Sequence, residues 1–343
     1  MSDTILVGAA TIRAALELAV RAPSVHNTQP WRWRIRPGAV ELHADRFRHL
    51  AATDPDRRDL QLSCGAALHH LRAAFAGTDV ACDVDLLPDP ENRFHLATVR
   101  PVAGAPEPAL RRMAPWITRR RTDRRRMSRR PAPPELLDAL VARAGTEGAR
   151  LVPVVEPGKR AVLLAALAEA ATLQRTHPGY AAELQRWTHR PTAAQDGVPA
   201  ANVSAPPIGT SAALVQRQFG PAGLSRAPAR PGHHPDVDDG AVFLVLLTVG
   251  DSTVERVRAG QATSAVLLTA TGMGLATTPF SQAVEVHASR LRLRRDVLGV
   301  ADQPQLVIRV GWPAAGAAPL PDVPRRPLSA VLVEPDTRRP RGA

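Results

Sequence analysis

The stretch Ala22-Pro23-Ser24-Val25-His26-Asn27-Thr28-Gln29-Pro30-Trp31 decides how this chain is read. Upstream, residues 12–21 have amphipathic helical spacing, and Pro23 ends that helix because the residue before a proline is pushed out of the α region. Downstream, Trp31-Arg32-Trp33-Arg34-Ile35 alternates as a half-buried strand does. Between two prolines that restrict the backbone stand Ser24, His26, Asn27, Thr28 and Gln29, all able to hydrogen-bond. The stretch reads either as a ligand loop or as a well-capped turn.

Working outward, residues 39–42 suit a hairpin partner for the Trp31 strand. Asp54 before Pro55 marks a helix start, with Leu60, Cys64, Leu68, Leu71 and Phe75 as the buried stripe and Gly77 as the end. His69 and His70 flank that stripe and read as helix-edge residues rather than metal ligands. Residues 80–87 and 94–102 read as strands around the turn Pro88-Asp89-Pro90-Glu91-Asn92. The order then recurs, with a helix over 253–272 and strands over 275–278 and 305–310. Leu96-Ala97-Thr98-Val99-Arg100-Pro101 also echoes Leu306-Val307-Ile308-Arg309-Val310-Gly311, which implies a degenerate internal duplication. The small-residue runs Gly65-Ala66-Ala67 and Gly260-Gln261-Ala262 would then pack closely across a pseudo-twofold axis, so that one chain mimics a dimer. Two ordinary α+β halves are the plainer alternative. The division falls into residues 1–115 and 116–343, the second half being interrupted by a proline-rich insertion at 188–235. A loop of that length is a lid or a disordered spacer.

Composition narrows the function. The 343 residues are 44% hydrophobic, enough for a sizeable core, and the net charge of +12 is carried by arginine, Lys159 being the only lysine. With aromatics at 3% and no recognised module, nucleic acid is not an expected partner. The N-terminus lacks a basic targeting region and no apolar run is long enough for a bilayer, so a cytoplasmic location without membrane partners is expected. Cys64 and Cys82 are too few for a disulfide framework. The run His233-His234-Pro235-Asp236-Val237-Asp238-Asp239 has ligand residue types without metal-site spacing, so no metal is expected. Gly272-x-Gly274 follows a helix and precedes a strand, the reverse of a dinucleotide fingerprint.

The densest charge is Arg119-Arg120-Arg121-Thr122-Asp123-Arg124-Arg125-Arg126, within a stretch of eight arginines between 119 and 130. Such a run is either a solvated loop or, because guanidinium forks match phosphate oxygens bidentately, a phosphate site.

The pattern Pro-Ser-x-x-Asn-x-Gln-Pro-Trp at 23–31 resembles the flavin-contacting loop of the nitroreductase-like FMN oxidoreductases, most of all their Acg-like branch. By that resemblance Pro23, Ser24 and Asn27 meet the flavin ring. The arginine run is similar to the family pattern Arg-x-Ser/Thr-x-Arg/Lys, which places Arg120, Thr122 and Arg124 on the phosphate, ribityl chain and ring edge. The stretch Gly274-Leu275-Ala276-Thr277-Thr278-Pro279-Phe280-Ser281-Gln282 resembles the loop that faces flavin N5 and suggests Ser281 and Gln282. Arg325-Arg326-Pro327-Leu328 resembles a basic segment closing on the phosphate, with Arg325 and Arg326 as candidates against a plain basic tail. Half one lacks the arginine motif and half two lacks the proline-flanked loop, so each keeps one side of a site that homodimeric relatives share between subunits. The resemblance implies an α+β nitroreductase-like fold, a mixed central sheet flanked by helices, in an internally duplicated pseudo-dimer with a lid insertion. It implies FMN as cofactor and electron transfer from reduced flavin to a nitroaromatic or quinone acceptor, with NAD(P)H as donor and no catalytic side chain named. The chain would act as a monomeric pseudo-dimer or a homodimer. The alternative is an FMN-sequestering or degenerate, non-catalytic flavin-binding protein with a stress-related role.

Overall fold

Trp31–Arg36 (β1) and Ala39–Ala44 (β2) form an antiparallel hairpin, with Gly38 at φ 67° supplying the left-handed turn residue. Trp31 and Trp33 are fully buried while Arg32 and Arg34 lie on the other face, as a period of two requires. The computed structural model describes residues 4–188, 190–191, 193–199 and 240–333. Most of the 188–235 insertion and the His233–Asp239 run therefore lie outside the described residues.

β2 pairs with β4 (His95–Val102), which pairs with β3 (Ala81–Leu86), giving the order β1-β2-β4-β3. In the second half β5 (Arg150–Val154), β6 (Val242–Thr248), β7 (Ala276–Phe280) and β8 (Gln303–Gly311) take the order β5-β6-β8-β7. The permutation is the same, and so is the irregularity: the register shifts at Leu42/His43 of β2 and at Leu246/Leu247 of β6. The expected mixed central sheet thus resolves into two antiparallel sheets. Each half returns its chain beside its own strands in alternating direction, and parallel pairing among the described residues is confined to the bridges Trp33↔Leu332 and Arg190↔Pro199.

Long helices join the sheets. They are α1 (Ala9–Ala19), α2 (Arg58–Gly77), α3 (Pro134–Thr146), α4 (Pro157–Thr176), α5 (Tyr180–Trp187) and α6 (Thr253–Gly272). Ser252 and Glu255 form a capping box that fixes the start of α6. α2 begins at Arg58, later than Asp54-Pro55 suggests, because Asp54 caps from a distance: its carboxylate accepts from Leu60 N at 2.9 Å. α2 and α6 lie against each other through Gly65 and Gly260, where a Cβ on Gly260 would come within 2.8 Å of Gly65 Cα. That approach interlocks the cores, with Val257, Ala265 and Leu268 of α6 packed among first-half residues. It also corrects the reading of His69 and His70. Both are fully buried at this junction, their Nδ1 atoms 2.7 and 2.8 Å from Ser264 Oγ, because α2 is covered by its own sheet on one side and by α6 on the other. The tail crosses back, Val333 N donating to Trp33 O at 2.7 Å. Among the described residues no helix is long and apolar enough to cross a membrane.

Candidate functional site

The loop after α1 bends through left-handed backbone at three non-glycine residues, His26 (φ 46°), Asn27 (φ 54°) and Gln29 (φ 50°). Conformations this uncommon persist where the surroundings hold them, and they gather at functional sites. Here the holding bonds are visible. Ser24 Oγ accepts from Gln29 N at 2.9 Å, Ser63 Oγ of α2 accepts from Val25 N at 3.2 Å, and Arg48 Nη1 donates to Thr28 O at 2.8 Å. Gln29 ties three segments together: its Nε2 donates to Gln195 O at 2.8 Å and its Oε1 accepts from Arg326 N at 2.9 Å. Asn27 Nδ2 donates to Gly197 O and Pro324 O, while its buried Oδ1 has no partner.

This loop forms one wall of a cavity between the halves. Pro23, Ser24 and Asn27 line it, together with Asp59, Leu62 and Ser63 of α2. The second half contributes Arg120, Thr122, Arg124, Ser281 and Arg325. Of the sequence candidates, Gln282 and Arg326 are not brought to the cavity lining. Gln282 is buried away from it, donating to Gln174 Oε1 at 2.9 Å, and Arg326 donates instead to Ala330 O at 2.6 Å and lies 3.9 Å from Asp45. Val198 and Pro199, at the start of the insertion, also line the cavity.

The arginine run is anchored by Asp123, whose N donates to Thr277 O at 2.9 Å and whose carbonyl accepts from Thr278 Oγ1 at 2.5 Å. The anchor sorts the arginines. Arg125 pairs with Asp123 at 2.8 Å and Arg130 stacks over Trp312, whereas Arg120 points inward and is only 5% exposed. Arg120 Nε and Nη1 find no hydrogen-bond partner. Burial, then the charges of Arg325, Arg121 and Arg21, lower its pKa to about 9, which still leaves it cationic at neutral pH. Arg325 is lowered to about 10, by burial and then by Arg21. Against these cations stands Asp322, 2.5 Å from Arg21 and 3.4 Å from Arg121. At this end of the cavity arginines outnumber carboxylates, Arg21, Arg120, Arg121, Arg124 and Arg325 standing against Asp322.

Asp59 and Ser281 also line the cavity, Ser281 Oγ lying 2.7 Å from Asp59 Oδ2 and 2.6 Å from Glu285 Oε1. Burial, then the neighbouring Glu285 and Asp54, push the Asp59 carboxyl well above the usual range, and burial raises Asp54 to about 7. Sequence reasoning missed Asp59, Arg21 and Asp322. Asp59 sits where an acidic residue in a first helical turn is unremarkable, and no local pattern marks the other two. Away from the cavity, Glu41, His43 and His95 bring potential ligand atoms within 4.8 Å, but the Glu41 carboxylate is already held by Arg36 at 3.1 Å and His43 at 3.0 Å.

No protein-family model matches the chain. Two Mycobacterium tuberculosis H37Rv proteins provisionally named as NAD(P)H nitroreductases do match it. Rv3131 is 43% identical over 328 residues, covering 96% of this chain and 92% of its own. The relative named acg is 35% identical over 340 residues, covering 97% and 98%. A solved nitroreductase with bound FMN from Desulfitobacterium hafniense is 14% identical, with a TM-score of 0.37 over 62% of this chain and 94% of its own.

Proposed function

Because this chain belongs to the nitroreductase family of those two relatives, we propose that it is an FMN-dependent oxidoreductase that passes electrons from NAD(P)H to a small acceptor of the nitroaromatic or quinone class. The observation that carries this reading is the buried, unpartnered Arg120 guanidinium, sharing one cavity with the strained loop at Ser24 and Asn27. A ligand that satisfies both ends is a phosphate dianion joined to a planar, hydrogen-bonding body, and FMN has that form. Arg120 and Arg325, with Thr122 and Arg124 beside them, would hold the phosphate end. Pro23, Ser24 and Asn27 would meet the ring, the free Asn27 Oδ1 offering an acceptor and Ser281 bordering the ring from the other half. In this reading residues 1–115 supply the ring side and residues 116–343 the phosphate side.

Bound flavin would supply the redox chemistry, while the chain binds it, orients it and limits solvent access. The test is direct. Purified protein should be yellow with an FMN spectrum, bleach under anaerobic NADPH or NADH, and recover colour on addition of a quinone. Bound flavin that stays oxidised under excess of both nicotinamides removes the enzymatic reading.

One observation favours a second reading. Gly197 N donates to Asn27 O at 3.2 Å and Val198 and Pro199 are buried in the cavity wall, so the insertion begins directly on the ring loop. Residues 197–199 closing on the ring loop in this way would favour sequestering FMN over turning it over. Deleting residues 200–235 should then speed flavin reduction and FMN loss; unchanged rates would leave the insertion a spacer.

A further inference from the structure

Recognition of a phosphate and a planar ring leaves Asp59 without a role, although it faces the cavity beside Ser281. The Ser281 hydroxyl carries one hydrogen yet lies 2.7 Å from Asp59 Oδ2 and 2.6 Å from Glu285 Oε1. It can donate to only one of them. The other contact is attractive only if that carboxyl is protonated and donates to Ser281 Oγ, so the three groups hold a proton between them. Asp59 is the carboxyl of this pair that lines the cavity.

The surroundings favour keeping that proton. Asp54 approaches from the segment before α2, and Glu285 from the turn after β7, where it also accepts from Gln174 of α4. Glu183 of α5 caps Ala52 and Thr53 nearby. Cations are directed elsewhere. Arg58 turns to Asp251, Pro304 O and Gln305, while Arg290 donates to Val284 O and reaches Asp56. Among the described residues no ion pair reaches Asp54 or Asp59. The orphaned nitrogens of Arg120 on the same cavity are a second, independent observation that points to a ligand.

We propose that Asp59 is the proton-supplying residue of this cavity, releasing its proton to a small acceptor as that acceptor is reduced, with Glu285 favouring the protonated acid and Ser281 donating to the carboxylate that remains. The inference rests on the redox reading of the site. Bound flavin, reduced by a nicotinamide, would supply the hydride, which would leave a quinone with one oxyanion. The Asp59 O–H bond breaks, an O–H bond forms on that oxygen, and the Asp59 carboxylate recovers a proton from solvent.

Two measurements test it. Infrared spectra of flavin-free protein carrying 13C-labelled aspartate, taken at pH 8 where Asp54 is mostly ionised, should contain a protonated-carboxyl band that Asp59→Asn removes. A missing band in the native chain, or one undiminished in Asp59→Asn, overturns the proposal. In stopped-flow oxidation of the reduced FMN-loaded protein by a quinone, Asp59→Asn should slow the step about a hundredfold, the range of one general acid. The native rate should fall as pH rises through the titration of Asp59, and the variant rate should be flat. Ser281→Ala, which keeps the acid but removes the hydroxyl that holds its carboxylate, should shift that profile to higher pH. An unslowed Asp59→Asn with an unchanged pH profile overturns the proposal. Failure of the native protein to bind FMN in a prior titration would instead strike the flavin reading, and the infrared band would then decide the protonation of Asp59 alone.

Discussion

In the proposed reading, Arg120 is a single residue that trades stability for binding. A buried guanidinium with two unpartnered nitrogens, facing other arginines, destabilises the empty protein and is relieved by an anion. Arg120→Met should weaken FMN roughly ten- to a hundred-fold, the equivalent of a charge-assisted hydrogen bond of about 1.5–3 kcal/mol. Riboflavin, which lacks the phosphate, should scarcely respond, and the flavin-free variant should melt no lower than the native chain. Equal losses for both flavins would remove Arg120 from the phosphate end. Arg130→Ala, in the same run but stacked outside over Trp312, should leave both affinities unchanged. Asp54 offers a pH test. Its folded pKa is raised to about 7 by burial, so between about pH 4 and 7 the folded chain holds a proton that the unfolded chain releases. That contribution favours folding at low pH and is lost as pH rises, by at most about 1.4 kcal/mol per unit. Asp54→Asn, whose amide oxygen can still accept from Leu60 N, should therefore flatten the fall in melting temperature between pH 5 and pH 8; an unaltered slope would count against the buried acid. The arginine motif and the proline-flanked loop were legible because their residue types sit in short patterns. Arg21, Asp59 and Asp322 were not, since they acquire meaning only when segments far apart in sequence close on one cavity.

Helices and strands were easier to read than the layers they build. Alternation in 31–36 and 39–44 and the apolar stripe of 60–75 follow from local periodicity, and the strands appear with small shifts at their ends. The start of α2 was misplaced because its cap acts over six residues, from Asp54 to Leu60 N, and His69 and His70 were misjudged because α6 buries a face that periodicity alone leaves open. Conversely, Gly65 and Gly260 were correctly read as a close approach. A Cβ on either would run into backbone, the Val257 carbonyl in one case and the Leu62 carbonyl in the other. Gly65→Ala or Gly260→Ala should destabilise the chain by at least the 1–3 kcal/mol typical of overpacking, read as a lower denaturant midpoint. Gly145→Ala, in α3 with nothing within 4 Å of the added methyl, should instead be neutral or stabilise by about 0.5–1 kcal/mol. If all three variants unfold at the same denaturant concentration, the contact between α2 and α6 is looser than this packing requires.

On the scale of the whole molecule, the two sheets repeat each other in strand order and in the position of their register shift, yet the halves differ around the cavity. From α1 to β1 the chain takes eleven residues, 20–30, and builds the strained loop; from α3 to β5 it takes three, 147–149. A connection that short cannot form a second ring wall, and at that junction Glu147 is buried and paired with Arg72 at 2.5 Å. The arginine cluster has likewise formed on one side only, around Arg120. A duplicated architecture with one competent pairing of loop and arginines should bind one FMN per 36.7 kDa chain, whether the chain is monomeric or dimeric in solution. Titration of flavin-free protein with FMN, followed by fluorescence quenching and set against the mass from light scattering, reads that ratio. Two flavins per chain would mean that the short junction at 147–149 still supports a site, and one flavin per two chains would mean that the cavity is completed by a second copy. Asn27→Ala should lower affinity without altering the ratio, because it weakens the single site rather than exposing another.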